Sequence, residues 1–336
     1  VWMSNSPVGP NEGEFGTSYN YYRVFGQRYD ADGNSLGGEF QVNTYTTDDQ
    51  AYPSVAALAD GGFAVSWSST YQDGSDYGIF GQRYDSSGDA AGGEFQINTH
   101  TSQGQYVSTM SGLADGGFVV ICNSDGQDSS SYGIFGQRYD ANGNPTGSEF
   151  RANTYTSGIQ FNESYVTENV AGLAGGGFGV IWHDENGRDS SGYAMFGQRF
   201  DANGDADGAE FQINTYSNDD QRRGSVDALK DGGFVVSWTS AGQDGSGLGI
   251  FAQRYDADGD AVGDEFQVNT ATDSDQNHNG VTGLADGGFV ITWSSANVDG
   301  SDDFGGVGDF GPAHDRHVAR NFRLGIHGDM EPAFPR

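Results

Sequence analysis

Acidic side chains recur at two fixed places in this chain, and oxygen-rich clusters of that kind are what a hard cation needs. The first place is the run Asp30-Ala-Asp32-Gly-Asn34, with copies at Asp85–Asp89, Asp140–Asn144, Asp201–Asp205 and Asp256-Ala-Asp258-Gly-Asp260. Side-chain oxygens on alternate residues beside a glycine can wrap calcium, which takes about six to eight oxygen ligands. Such Asx-Gly runs also make ordinary turns by bonding their own backbone, and these copies lack the closing Glu of an EF-hand loop. Both readings stand. The second place is a single Asp followed by Gly-Ser or Ser-Ser: Asp73, Asp128, Asp189, Asp244 and Asp299. The calcium-ligand candidates are these five together with Asp30, Asp32, Asp201, Asp256 and Asp258.

A third regularity joins opposite charges. Each Arg of a repeated motif is followed eleven residues later by Glu: Arg28/Glu39, Arg83/Glu94, Arg138/Glu149, Arg199/Glu210 and Arg254/Glu265. If the segment between them is a hairpin tip, the two side chains face each other across two strands as an ion pair. Five copies of one active site on one scaffold make no chemical sense, so the pair reads as structural. Other catalytic signals are thin. Gly306–Gly311 matches a dinucleotide-binding pattern by letter, but Pro312 follows and no strand-to-helix context surrounds it. His314 and His317, with His327 and Asp329 near, are zinc-type residues without a spacing that fixes a site.

What must position these residues is a repeat. The motif Phe-Gly-Gln-Arg-Tyr-Asp begins at Phe25, Phe80, Phe135, Phe196 and Phe251, at spacings of 55, 55, 61 and 55 residues, with Phe200 for Tyr in the fourth copy and Ala252 for Gly in the fifth. A constant period means one structural unit copied. Each unit shows four short runs with two-residue alternation, in the second copy Ser54–Leu58, Gly62–Ser68, Gly78–Tyr84 and Glu94–Thr99. Asp60-Gly61 is a tight-turn signal between the first two. No helical period is present. Four antiparallel strands per copy predict an all-β fold, a β-propeller of about six four-stranded blades with incomplete ends. The division is a propeller over 1–303 and a divergent segment over 304–336 that completes or caps the last blade. His317–Phe322 faintly matches a third strand there.

Alternation assigns faces. Phe63, Val65 and Trp67 share one side of their strand, and Ala64, Ser66 and Ser68 the other. The Trp slot recurs at Trp2, Trp67, Trp182, Trp238 and Trp293, with Cys122 in its place in the third unit, so all six read as packing residues between blades. Topology places the loop bearing Asp73 on the same face as the link between blades, where Asn43–Asp49 and its copies lie. That face gathers carboxylates, Asn, Thr and Tyr, which suits calcium or sugar hydroxyls, and equally a solvated surface. The only inequality among the units is the insertion within Tyr155–Asp189 and the His-bearing tail.

A formal charge of −32 repels nucleic acid and anionic membranes, so neither is expected as a partner. No apolar run reaches the ~18 residues of a spanning helix. With one cysteine, no internal disulfide forms. The chain opens in mid-motif without an initiator Met and reads as a processed or partial product.

The phrase carried by Asp231–Trp238 and Gly249–Thr270 resembles repeats in large secreted bacterial proteins of the calcium-binding, type I-exported class, and the resemblance covers about residues 20 to 295. It implies a secreted or cell-surface location and an adhesin-like or enzyme-bearing polypeptide. The Gly-Gly-x-Gly-x-Asp nonapeptide of that class is absent here. Two function classes follow. One is a non-catalytic module for surface attachment or matrix assembly, binding calcium, glycans or other copies of surface proteins. The other is a secreted polysaccharide-acting hydrolase or lyase on a propeller scaffold.

Overall fold

The structure is a computed structural model that describes residues 1–7, 20–161, 169–296 and 323–327. Six antiparallel sheets follow one another along the chain as the blades of a β-propeller. Blade 1 holds Trp2–Pro7, Asn20–Tyr29 and Ser35–Gln41. Blade 2 holds Gln50–Ala57, Phe63–Thr70, Tyr77–Tyr84 and Phe95–Gln96; blade 3 holds Gln105–Gly112, Phe118–Asp125, Tyr132–Tyr139 and Pro145–Arg151. Blade 4 has a divided first strand, Gln160–Phe161 and Val170–Gly172, then Phe178–Asp184, Ala194–Phe200 and Ala206–Gln212. Blade 5 is Gln221–Ala228, Phe234–Ala241, Leu248–Tyr255 and Ala261–Gln267, and blade 6 is Gln276–Gly283, Phe289–Ser295 and Arg323–His327. The third strand of blade 6 is thus Arg323–His327, while His317–Phe322 lies outside the described residues.

The expected strand limits move in two places. The first strand of blade 2 starts earlier, at Gln50, because it carries a bulge, a register shift between Ala51 and Ser54. Its fourth strand is only Phe95–Gln96, because Asn98 turns away to cap a neighbouring strand.

The core lies between blades. Each hydrophobic cluster is shared by two consecutive blades, such as Val24 and Val42 of blade 1 with Val65, Trp67, Phe80 and Tyr84 of blade 2. Ala64, on the other side of its strand, joins the cluster with blade 3, as alternation predicts. Trp67, Trp182 and Trp238 are buried, and Cys122 fills the same slot, its thiol pushed up by burial with the Glu149 charge adding to it. The motif aromatics explain their own repetition. Phe63 and Tyr84 stack at 4.7 Å, and Phe40 from the preceding blade tilts onto Tyr84 at 5.4 Å; Phe118, Tyr139 and Phe95 repeat the arrangement. That ring lies over the motif glycine: a Cβ on Gly26 would come 2.7 Å from the Phe40 ring, and in the fifth copy the fully buried Ala252 takes the position.

The first strands are innermost and meet around one axis. Five of them converge on a cavity of ≈ 760 Å³ ringed by Leu58, Leu113, Leu173, Leu229 and Leu284, with Lys230, the chain's only lysine, on its wall. Their ends approach backbone to backbone: a Cβ on Gly112 would lie 2.4 Å from the Ala57 carbonyl oxygen, and one on Gly172 2.2 Å from that of Gly112.

The predicted Arg/Glu pairs do not form. A bulge of the outer strand, with Gly147–Glu149 opposite the single residue Gln137, places Arg138 opposite Thr146 instead of Glu149. The Gln of the motif closes that bulge, Gln137 Nε2 donating to the Arg138 carbonyl. Arg83, Arg138 and Arg254 pair instead with Asp60, Asp115 and Asp231 of their own first turns. In blade 4 that turn position is Gly175, and Arg199 pairs with Asp207 at 2.8 Å. Arg28 reaches the next blade, donating to the Ser86 carbonyl at 2.6 Å.

Four of the Glu residues, Glu94, Glu149, Glu210 and Glu265, clamp two blades. Glu94 Oε2 accepts the backbone N–H and hydroxyl of Thr44, from the preceding link, at 2.7 and 2.8 Å, while Oε1 accepts Gln72 Nε2 at 2.5 Å. Glu265 does the same with Thr215 and Gln243. Glu265→Ala is expected to destabilise by ~0.5–1.5 kcal/mol, since it removes the bonds to Thr215 and Gln243 at a partly solvated site. A double-mutant cycle by denaturant melts should find coupling between Glu265 and Thr215 and none between Glu265 and Arg254. Gly112→Ala should cost about 1–3 kcal/mol in the same melts, through overpacking at the axis.

Candidate functional site

Antiparallel order puts the first turns and the outer hairpins on one face of the ring, and the loops between second and third strands together with the links on the other. The two Asp sets therefore lie on opposite faces and are not brought together. On the hairpin face Asp30 Oδ1 accepts the N–H groups of Asp32 at 3.0 Å and Asn34 at 2.8 Å. Asp85, Asp140, Asp201 and Asp256 repeat this, Asp256 accepting from Asp258 at 3.0 Å. These bonds hold the Asp30 and Asp140 carboxyls below their ordinary range, led by the Asn34 and Asn144 side chains, and that of Asp201, led by the Asp205 N–H.

On the link face Asp73, Asp128, Asp189 and Asp244 each accept the N–H two residues on, from Ser75, Ser130, Ser191 and Ser246, at 3.0–3.2 Å. The second oxygen of Asp73, Asp189 and Asp244 accepts the link Asn, Nδ2 of Asn98, Asn214 and Asn269, at 3.2 Å. Asp299 lies outside the described residues. Among the described residues no three His, Cys, Asp or Glu side chains are grouped to hold a metal.

The link itself is a built junction. Asn98 Oδ1 accepts the Ile79 N–H at 2.7 Å, and its Nδ2 donates to the His100 carbonyl at 2.7 Å and to Gln105 Oε1 at 2.9 Å. Asn153, Asn214 and Asn269 do the same with Gln160, Gln221 and Gln276. These Gln residues are fully buried and open each innermost strand. Sequence reading passed over them, although a Gln stands seven residues after the link Asn in every copy.

Just past Gln50, Gln105, Gln221 and Gln276 the innermost strand bulges at the link-face mouth of the axis. Tyr52, Val107, Arg223 and His278 sit there at φ +54, +48, +57 and +52. A β-branched Val at positive φ is a real strain, and such strain gathers where function requires it. The backbone is repeated while the side chain changes at every copy. In blade 4 seven residues, 162–168, stand in the sequence where blade 3 has only Val107 and Ser108 between its paired positions, so five of the six inserted residues fall between Phe161 and Asn169, outside the described residues. The sixth lies in the following loop, before Ala194.

An arc of rings follows the mouth from blade to blade. Tyr77 meets Tyr106 at 5.3 Å, Tyr106 meets Tyr132 at 5.9 Å, and Tyr132 meets Phe161 at 5.3 Å. Phe161 then meets His183 at 6.0 Å and His183 meets Tyr193 at 5.5 Å, with the Arg222 guanidinium 5.7 Å over Tyr193. The Tyr106 hydroxyl donates to Asp76 Oδ2 at 2.6 Å, and burial, this bond and nearby negative charge push its ionisation up.

Blade 4 is chemically unlike the rest. His183 stands where Ser68, Asn123 and Thr239 stand, with Nε2 3.4 Å from Glu185 Oε1. Buried Asp184 accepts Gln160 Nε2 at 3.1 Å. Arg188 replaces the usual Gln at the clamp, 2.5 Å from Glu210 and 3.6 Å from Asp184, over the Tyr155 and Phe196 rings.

No family model matches this chain, and no curated protein does. Solved structures do. A protein of unknown function from Dyadobacter fermentans superposes with a TM-score of 0.51 at 13% identity, over 73% of this chain and 74% of that one. An α-L-arabinofuranosidase from Fusarium graminearum, bound to an iminosugar inhibitor, gives 0.51 at 14% identity, over 77% and 76%. An α-L-arabinanase from Penicillium chrysogenum, complexed with arabinobiose, gives 0.46 at 14% identity, over 76% and 80%. At these identities the likeness is one of fold.

Proposed function

We propose that this propeller acts on a polysaccharide, taking it at the link-face mouth of the axis, with blade 4 as the place of turnover. The observation that carries the reading is the mouth itself, where strained bulges repeat one backbone but present Tyr52, Val107, Arg223 and His278. Stacking blades requires no such variety, whereas a ligand that meets each blade differently does. The arc from Tyr77 to Tyr193 supplies apolar ring surface with polar edges, the mixture that suits sugars. The substrate class is drawn from the glycan activity named for the arabinofuranosidase, a neighbour in fold. Proton transfer is assigned to His183 and Glu185, which lie 3.4 Å apart in blade 4.

A glycan array followed by turnover assays on every hit tests this. Glu185→Gln is expected to lower turnover by about 10²–10⁴-fold with glycan binding retained. An empty array, or a variant that turns over like the parent, contradicts the reading. Binding without turnover in the parent favours the second reading, a secreted surface-attachment module that holds glycans through the same face; the equal clamps of successive blades favour it.

Calcium belongs to this proposal as a stabiliser of the repeated loops on an acidic chain. Asp244→Asn and Asp256→Asn should each lower the melting temperature in chelator, because both carboxylates cap their own turns. Only a loop that takes calcium should also lose the rise seen at millimolar calcium. A parent protein with the same melting temperature in chelator and in calcium removes the metal from the account.

A further inference from the structure

The position that follows each buried Gln on the innermost strands changes from blade to blade: Ala51, Tyr106, Phe161, Arg222 and Asn277, each paired with the second strand of its own blade. Arg222 alone of the five carries a charge, and it is positive in a chain whose formal charge is −32. Other arginines serve the frame. Arg83, Arg138, Arg199 and Arg254 meet carboxylates of turns and hairpins, Arg28 and Arg151 meet backbone carbonyls, and Arg188 meets Glu210.

Arg222 has a different setting. Its guanidinium lies 5.7 Å over the Tyr193 ring, and its Nε is buried without a hydrogen-bond partner among the described residues. Arg83, Arg138 and Arg199 also leave Nε unmet, but the Nη2 of each is engaged. A ring face uses none of the N–H donors of a guanidinium, and an unmet buried donor is costly. The equivalent contact between blades 2 and 3 shows what would complete the site. Tyr106 lies against Tyr77 and gives its hydroxyl to Asp76, the residue before that ring, whereas Gly192 stands before Tyr193. The Asp220 carboxylate, on the adjoining link, is turned to the Tyr193 N–H at 3.2 Å. Blade 4 thus has no carboxylate at the place where blade 2 has Asp76.

We propose that Arg222 receives the carboxylate of a uronic acid unit, so that the glycan taken at the mouth is an acidic one. This rests on the reading of the mouth as a glycan site. The fork of N–H groups matches a planar carboxylate with two parallel bonds, and contact with the Tyr193 ring holds the fork in place before the ligand arrives. Tyr193 lies 5.5 Å from His183, so a single ring separates Arg222 from the His183–Glu185 pair, and the acidic unit sits within about one sugar of the linkage that is turned over. A dense polyanion is repelled by the overall charge of the chain, so the uronates are spaced by neutral sugars.

The test uses the full chain and an array of glucuronate- and galacturonate-bearing oligosaccharides, each beside its carboxyl-reduced counterpart, with titration calorimetry on every hit. The parent is expected to bind an acidic member at least about tenfold tighter than its reduced counterpart, because reduction removes a charge-assisted pair. Arg222→Gln should bring the two to within about twofold of each other, weakening the acidic glycan and leaving the reduced one where it was. Arg222→Lys, which keeps the charge without the fork, should hold an intermediate preference. Unchanged affinity for the reduced glycan shows that both variants are folded. Equal parental affinity for acidic and reduced members, or an Arg222→Gln variant that keeps the full preference, overturns this inference and leaves the glycan reading standing. An array with no hit at all overturns both.

Discussion

A buried amide and a carboxylate at each link decide how one blade sits on the next. When the outer strand ends, the third strand loses its hydrogen-bonding partner, and the link Asn supplies Oδ1 to the orphaned N–H, as Asn98 does for Ile79 at 2.7 Å. The same Asn reaches forward to the Gln that opens the next innermost strand. The Glu of the following blade then holds the Thr beside that Asn, as Glu94 holds Thr44. Buried polar networks of this kind are costly when broken and specific when complete. Apolar burial between blades drives association, but it is nondirectional; these bonds set the rotation from blade to blade.

With the frame so fixed, the mouth of the axis is free to differ. The bulge after each buried Gln keeps the same left-handed φ at Tyr52, Val107, Arg223 and His278, so the side chain there can change without moving the blade. Blade 4 departs furthest from its neighbours, with His183 and Asp184 in place of small polar residues. Its clamp adapts as well, because Arg188 ties Glu210 to the buried Asp184. Strain and variety meet at one end of the axis, while a ring of repeated leucines, Leu58, Leu113, Leu173, Leu229 and Leu284, lines the cavity at the other.

Much of this was legible in the residues. The period gave the blades, the two-residue alternation placed Trp67 and Ala64 on opposite cores, and Asp60-Gly61 marked a true turn. The Arg/Glu pairing was not legible, because the outer strand bulges: Gly147–Glu149 lie between Thr146 and Phe150 where the third strand has only Gln137, which shifts every later partner, and nothing in the motif announces it. The Asp sets looked alike as oxygen donors, yet Asp30 and Asp73 each accept backbone N–H groups in their own turns, which sequence alone allows but does not choose. The Asn-to-Gln spacing of seven was visible throughout, but only the fold shows that it spans a link from one blade to the next. The Gly306–Gly311 run and His314, His317 and Asp329 lie outside the described residues, while His327 ends the last strand.

Native-state hydrogen exchange tests the central claim, that the Asn-centred links lock blades into one unit. The Ile79, Ile134, Met195 and Ile250 amides are bonded to link Asn side chains instead of to a strand. They should exchange as slowly as strand-interior amides such as Val120 and Val236, through one global opening. Replacing Asn153 by Ala should speed exchange at Ile134 and in both flanking blades together. Fast exchange at the four amides in the parent, or a change confined to Ile134 in the variant, would contradict the account.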